Sequence, residues 1–249
     1  MRIDIVTLFP AMIEPALGES VIGRARARGL VDIRAVNLRD YAEGKHRVTD
    51  DYPFGGGGGM VLKPEPLFAA VEALRMPASR VILMDPRGRL FSQRVAWELA
   101  ATRHLLLLCG RYEGVDERVG ELLADDVLSI GDYVLTGGEL PALVVSDAVI
   151  RLLPGVLGAE GAAERESFAD GLLEPPQYTR PEEFRDARVP PVLLSGDHAR
   201  IERWRRAQAL YRTWRWRPEL LEAAPLSEDE RRLVEAFKRG EKPQETGRS

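Results

Sequence analysis

Two stretches of this chain each run an apolar strand into a glycine turn. One is Leu105-Leu106-Leu107-Leu108-Cys109-Gly110-Arg111-Tyr112-Glu113-Gly114, continuing through Val115-Asp116-Glu117-Arg118-Val119. The other is Ser129-Ile130-Gly131-Asp132-Tyr133-Val134-Leu135-Thr136-Gly137-Gly138-Glu139-Leu140. A strand that is apolar at every position has no solvent face, so it belongs inside a sheet covered on both sides. Glycine lets backbone approach a ligand closely, with N–H and C=O groups free to read it. Buried strands that end in ligand-competent turns constrain the fold more than any other feature here.

The first part of the chain repeats this alternation. Residues 3–9, 31–36, 80–84, 104–109 and 126–129 read as strands, and 10–28, 64–74, 93–101, 117–123 and 139–153 as helices. Pro154 and Gly155 end the last of these. Apolar strands separated by helices imply an α/β fold with a mainly parallel sheet. Connectivity rules alone stop at an unknotted, doubly wound sheet. After Gly158 the chain turns small and polar with no apolar period, which reads as a linker. Turns rich in proline follow (Pro175, Pro176, Pro181, Pro190, Pro191), then helical segments at 197–215, 218–223 and 227–239. Ser227 with Glu230 carries a capping-box signature. The expected organisation is an α/β domain over 1–158, a flexible linker over 159–172 and a small helical domain over 173–249, frayed from 240 onward.

Cys109 is the single cysteine, which excludes an intrachain disulfide and suits a reducing compartment. Its place at the end of an apolar run reads as a buried thiol. No apolar run approaches the ~18 residues that span a bilayer, and the N-terminal residues read as a strand rather than a signal peptide. A cytoplasmic protein without a membrane partner is expected. The net charge of −4 says little against a nucleic-acid partner, because local basic surface decides that. Seven arginines lie between Asp197 and Arg217, at 200, 203, 205, 206, 212, 215 and 217, interleaved with Trp204, Tyr211, Trp214 and Trp216. Arginine pairs with phosphate and stacks on bases. A helix with core tryptophans and a solvated arginine face is the equal alternative.

The run Phe54-Gly55-Gly56-Gly57-Gly58-Gly59-Met60 is neither of the common phosphate loops. A P-loop needs Lys and then Ser or Thr after its last glycine. No register supplies the glycine spacing of a dinucleotide fingerprint. His46, His104 and His198 are too scattered to argue for a metal site.

Taken together, the two glycine loops resemble the cofactor loops of the bacterial tRNA (guanine-N1)-methyltransferase family. The similarity extends to the block from His46 to Gly55, to Ile150-Arg151-Leu152-Leu153-Pro154-Gly155-Val156-Leu157-Gly158, and to Tyr178-Thr179-Arg180-Pro181. Val189-Pro190-Pro191-Val192-Leu193-Leu194-Ser195-Gly196-Asp197-His198 and Arg212-Thr213-Trp214 continue it, so it covers about residues 1–237. The resemblance implies a deep trefoil knot of the SPOUT type in the α/β domain. It also implies S-adenosylmethionine as methyl donor and transfer to N1 of the guanine just 3′ of the anticodon, position 37. Further implications are a homodimer with its active site at the subunit interface, and a C-terminal domain that grips the tRNA anticodon arm. Magnesium use is implied too, though no ligand cluster identifies a site.

Carried over residue by residue, the cofactor site comprises Leu83, Met84, Asp85 and Pro86; Gly110, Glu113 and Gly114; and Ile130, Gly131, Asp132, Tyr133, Val134, Leu135, Gly137, Gly138 and Leu140. Glu113 could offset the sulfonium charge or pair with Arg118. Methylation at N1 needs a base for the N1 proton and a donor for charge building on O6. The resemblance gives these roles to Glu166, where the family has aspartate, and to Arg151; Glu164 and Asp170 are fallback bases. Asp50, Gly55, Gly56, Gly57, Ser167, His198, Arg203 and Arg206 are the expected RNA contacts, while His46 and Asp51 could be contacts or turn residues. Gly58 replaces a family proline, and Asp85 a small polar residue. A knotted methyltransferase for another RNA position, or a non-catalytic RNA-binding protein, would be the competing readings.

Overall fold

Six consecutive residues, His104–Cys109, are all buried. They form the central strand of a five-stranded sheet in the computed structural model of this chain, which describes residues 1–158, 161 and 163–243. The strands in chain order are β1 (Arg2–Thr7), β2 (Asp32–Asn37), the short pair β3 (Asp50–Asp51) and β4 (Val61–Leu62), β5 (Ser79–Leu90), β6 (His104–Cys109) and β7 (Asp126–Ser129). The sheet runs β2-β1-β6-β5-β7 with every pairing parallel. β3 and β4 form a separate antiparallel pair. The helices of this part are α1 (Glu14–Leu17), α2 (Ser20–Ala27), α3 (Pro64–Leu74), α4 (Gln93–Ala100), α5 (Glu117–Leu122) and α6 (Glu139–Ile150).

Parallel strands need crossovers, and these helices cover the sheet. Val6, Leu83, Leu106 and Leu108 join Leu67, Ala70 and Val71 of α3 and Val119 of α5 in one apolar cluster. On β1 and β6 packs α6, which also meets α2 and α4. The expected helix over 10–28 is broken into a turn at Pro10–Met12, α1 and α2. The helix expected over 139–153 stops at Ile150.

β5 departs most from expectation. The apolar pattern ends it at Met84, yet it pairs with β7 again through Arg89↔Leu128 and Leu90↔Ser129 after bulging out over 85–88. Pro86 has no N–H for a ladder, so it is tolerated in the bulge. Gly88 lets the returning backbone lie against the Val127 carbonyl, where a Cβ would collide.

The chain divides into two compact units, Met1–Glu160 and Gly161–Ser249. The second unit holds a small hairpin, β8 (Glu183–Phe184) and β9 (Ala187–Arg188), with α7 (Pro191–Leu194), α8 (His198–Trp216), α9 (Leu220–Ala223) and α10 (Glu228–Lys238). Leu172, Leu210, Ala224, Val234 and Phe237 make its main core, and Val192, Ile201 and Trp204 a second cluster. The Ser227–Glu230 capping box is formed. Of the linker expected over 159–172, residues 159, 160 and 162 lie outside the described residues, as do 244–249 of the expected frayed tail. The rest of that linker packs within the second unit. Leu172 is 1% exposed, its carbonyl accepts from Phe168 N at 2.7 Å, and Asp170 pairs with Arg206.

Candidate functional site

The bulge of β5 over 85–88 converges with the loops after β6 and β7 beyond the C-terminal ends of those parallel strands, where α/β sheets characteristically bind ligands. They enclose a cleft of about 480 Å³. The loops are stitched together by backbone. Gly138 N donates to Gly110 O at 2.9 Å, Glu113 N to Met60 O at 3.0 Å, and Asp116 N to Leu62 O at 3.0 Å. Arg111 and Gly137 form an isolated antiparallel bridge. Gly138 permits the closest of these approaches. A Cβ there would lie 2.7 Å from Cys109 Cα and 3.0 Å from Gly110 N.

Met84, Asp85, Pro86, Gly110, Glu113 and Gly114 line the cleft, as do Ile130, Gly131, Tyr133, Val134, Leu135, Gly137 and Gly138. Three of the expected residues do not. Leu83 is 2% exposed and points into the core cluster, because successive strand side chains alternate faces. Asp132 and Leu140 are exposed and stand outside the lining. Arg111, Tyr112 and Thr136 of the expected glycine loops line it as well, and so do Val61, Arg87, Val115, Glu117, Leu128, Ser129 and Pro141, which the sequence reading missed. Glu117 lies inside the first glycine motif and was legible there; Val61 arrives through the β3–β4 pair, which no periodicity announced.

The charged groups at the cleft are mostly committed to one another. Arg87 grips Asp85 through two bonds of 3.0 Å and reaches Glu117 at 2.7 Å. Burial works against ionisation of Asp85, but the Arg87 hydrogen bonds outweigh it and leave the carboxyl below its ordinary range. The Asp85 side chain therefore faces Arg87. Arg118 pairs with Asp116 at 2.7 Å rather than with Glu113. The Glu113 carboxylate is exposed and packs beside Gly59. Arg111 donates to Thr136 O at 2.7 Å and to Thr136 Oγ1 at 3.0 Å. Burial, with the charge of Glu139, pushes the Cys109 thiol well up, so it is inert at neutral pH.

Asp50 sits in β3, opposite Leu62, and accepts from Thr49 Oγ1 at 3.1 Å. Gly55, Gly56 and Gly57 are exposed with positive φ, flanked by the fully exposed Phe54. Arg151 is the half-buried C-cap of α6.

In the second unit Glu166 is half-buried after a short turn, in a cleft of about 480 Å³ that it shares with Glu164, Asp170, Glu174, Arg205 and Arg206. Ser167 Oγ accepts from Glu174 N at 3.1 Å. His198 is the exposed first residue of α8, and Arg203 is exposed on the same helix. Arg206 is not a solvated contact; it donates to Glu230 at 2.6 Å and to Asp170. Of the interleaved aromatics, Trp204 is 2% exposed, and Tyr211 and Trp214 pack on Phe237 at 5.2 and 6.2 Å. Trp216 is 57% exposed, with Arg212 stacked over it at 5.1 Å. Core packing accounts for the other three rings. Among the described residues, no cluster of three or more His, Cys, Asp or Glu could hold a metal ion, and no helix is long and apolar enough to cross a membrane.

The sequence matches, over residues 1–223, the family model described as tRNA (Guanine-1)-methyltransferase TrmD. It is similar to the tRNA (guanine-N(1)-)-methyltransferase of Geobacter sulfurreducens, 59% identical over 245 residues that cover 98% of this chain and 100% of that protein. The Moorella thermoacetica protein of the same name is 58% identical over 246 residues, covering 97% and 98%. That of Staphylococcus epidermidis is 53% identical over 240 residues, covering 96% and 98%.

Proposed function

This chain belongs to the tRNA (guanine-N1)-methyltransferase family, and on that premise we propose that its glycine-lined cleft binds S-adenosylmethionine and serves methyl transfer to N1 of guanine 37 in tRNA. The observation that carries this reading is the convergence of the β5 bulge and two strand-end loops on one cleft, held so tightly by backbone that Gly138 has no room for a Cβ. Such a cradle suits a ligand read mainly by backbone. The Glu113 carboxylate is an exposed anion on its wall, suited to a cationic donor. When bound, S-adenosylmethionine supplies an already activated methyl group, so the protein's work is positioning and exclusion of water.

Glu166 accepts the N1 proton of guanine, and Arg151 donates to O6 as negative charge builds there. The N1–H bond breaks with its proton going to Glu166, and the electron pair left on N1 would take the methyl group from the donor's sulfonium, whose S–CH3 bond would break to leave a neutral thioether. Glutamate does the work of the family's aspartate with similar basicity, ~4.3 against ~3.9. The exposed Arg203 helps hold the anticodon arm. A trefoil knot in the first domain and a homodimer complete the reading; the apolar pair Leu140 and Val144, exposed one turn apart on α6, supports an interface there. The linker between the domains belongs to the same reading, as does action in the cytoplasm.

The test is to incubate the protein with labelled S-adenosylmethionine and unmodified bulk tRNA, then map the methylated nucleotide. Label at N1 of guanine 37 is expected. Label on a ribose, or at another base, would replace this reading with that of a different RNA methyltransferase.

A further inference from the structure

Arg111 occupies a position that none of the roles above explains. Its guanidinium donates to both the carbonyl and the hydroxyl of Thr136, at 2.7 and 3.0 Å, and so grips the last turn of the third cleft loop. Its planar face rests 4.5 Å above the Phe9 ring. On the buried side, Nη1 stands 3.8 Å from Glu139 Oε2. That oxygen has no hydrogen-bond partner, although the Glu139 side chain is only 2% exposed. The other oxygen, Oε1, accepts from Thr7 Oγ1 at 2.8 Å, and Thr7 Oγ1 in turn accepts from Phe9 N at 2.9 Å.

A buried carboxylate oxygen without a hydrogen bond is costly unless a charge compensates it. Arginine is the suitable compensator because it stays protonated. Thr7, Phe9 and Glu139 belong to β1, the turn after it, and the first residue of α6, so the guanidinium is fixed by rigid elements. The loop it grips is exposed, with Val134 86% accessible, and is otherwise tied partly to itself through Tyr133 N to Gly131 O at 2.9 Å. Gly137 completes the cradle. A Cβ there would collide first with Glu139 Oε2 and would also come 2.8 Å from Arg111 Cδ and Nη1.

We infer that Arg111 and Glu139 form a positioning pair that holds the third loop of the cleft in its cofactor-binding shape. This rests on the cofactor reading above. Glu139 neutralises and orients Arg111, and Arg111 fixes Thr136 and with it the backbone from Ile130 to Gly137. Neither residue is required to touch the reacting atoms.

The test is calorimetric affinity for S-adenosylmethionine, with Tm and steady-state kinetics, on wild type, Arg111→Ala, Arg111→Lys, Glu139→Gln and Gly137→Ala. Gly137→Ala crowds both partners of the pair, the Glu139 carboxylate before the Arg111 guanidinium, without changing any charge. Arg111→Ala and Gly137→Ala should weaken binding roughly tenfold or more, the scale of a lost charged hydrogen bond. Arg111→Lys and Glu139→Gln should fall between these and wild type. KM for the cofactor should rise in step, while kcat at saturating cofactor stays within about threefold of wild type, as expected for lost ground-state positioning. A purely structural role would lower Tm and the active fraction and leave affinity per folded molecule unchanged. Affinity within about twofold of wild type in folded Arg111→Ala and Gly137→Ala, or in folded Arg111→Lys and Glu139→Gln where the others fail to fold, overturns the inference. Absence of S-adenosylmethionine binding by wild type overturns the cofactor reading and this inference with it.

Discussion

Arg206 of α8 donates through Nε to Glu230 Oε1 at 2.6 Å, joining two helices across 24 residues of sequence. The same guanidinium reaches Asp170. Because Glu230 is also the N3 residue of the α10 capping box, this one arginine ties a loop, a long helix and a helix start. Arg206→Ala should lower stability by about 1–2 kcal/mol, a charged hydrogen bond discounted for solvent at a side chain 36% exposed. Thermal or denaturant unfolding would register this. A Tm equal to that of wild type would show the tether to be idle.

The same ion pair predicts an acid sensitivity. Partial burial raises the Glu230 pKa, but bonds from Arg206 and Ser227 outweigh it and hold the carboxyl below its ordinary 4.5. A carboxyl with a depressed folded pKa contributes stability that is complete above the unfolded value and lost as pH falls through the folded one. Unfolding followed below pH 4.5 should therefore show a loss that Glu230→Gln removes, since glutamine retains the capping geometry. An identical acid limb in the variant would assign the loss to other carboxylates.

RNA affinity should separate Arg203 and Arg215 from Arg206. Arg203 and Arg215 are exposed on α8, whereas Arg206 is held by two carboxylates. Glutamine at Arg203 or Arg215 should flatten the dependence of log affinity on log salt by up to ~0.7–0.9 for each phosphate no longer neutralised. Arg206→Gln should leave the slope unchanged. If neither exposed variant alters the slope, RNA is held by another surface.

For the chemical step, Glu166→Gln should bind both substrates yet transfer methyl at least ~10²-fold more slowly in single turnovers. Glu166→Asp should retain much of the rate. Arg151→Ala should lose a comparable amount, and the double variant less than the product of the two. Single-turnover rates near wild type in Glu166→Gln would move the base to Glu164 or to Asp50 and Asp51 of β3. Asp170, committed to Arg206, is the weaker substitute.

Two cleft glycines should respond differently to alanine. At Gly138 a Cβ meets the backbone of a fully buried strand at 2.7 Å, so Gly138→Ala should cost roughly 1–3 kcal/mol of stability as overpacking. At Gly110 the nearest neighbour is the Val115 side chain at 3.3 Å, which can yield. Gly110→Ala should fold with near-native Tm and bind S-adenosylmethionine more weakly. Equal Tm losses in the two variants would show that the backbone near Gly138 can move after all.

By itself the sequence determined what short-range forces decide. Runs such as Leu105–Leu108, the helix over 64–74, and the Ser227–Glu230 cap depend on side-chain periodicity and on hydrogen bonds spanning a few residues. They were therefore legible, down to the boundaries of β6 and β7. The glycine turns marked the cleft for the same reason. What only the tertiary structure decided depends on partners far apart in the chain. The strand order β2-β1-β6-β5-β7 and the return of β5 over 89–90 to β7 are set by packing of whole elements. A slip of one residue sends Leu83 to the core and Met84 to the cleft. Along α8, local pattern treats the arginines and the tryptophans alike. Only the positions of Asp170, Glu230 and Phe237 turn Arg206 into a tether and Trp214 into core, while Arg203 and Trp216 are left in solvent. A long side chain can reach any of several neighbours, and the fold fixes which one is there.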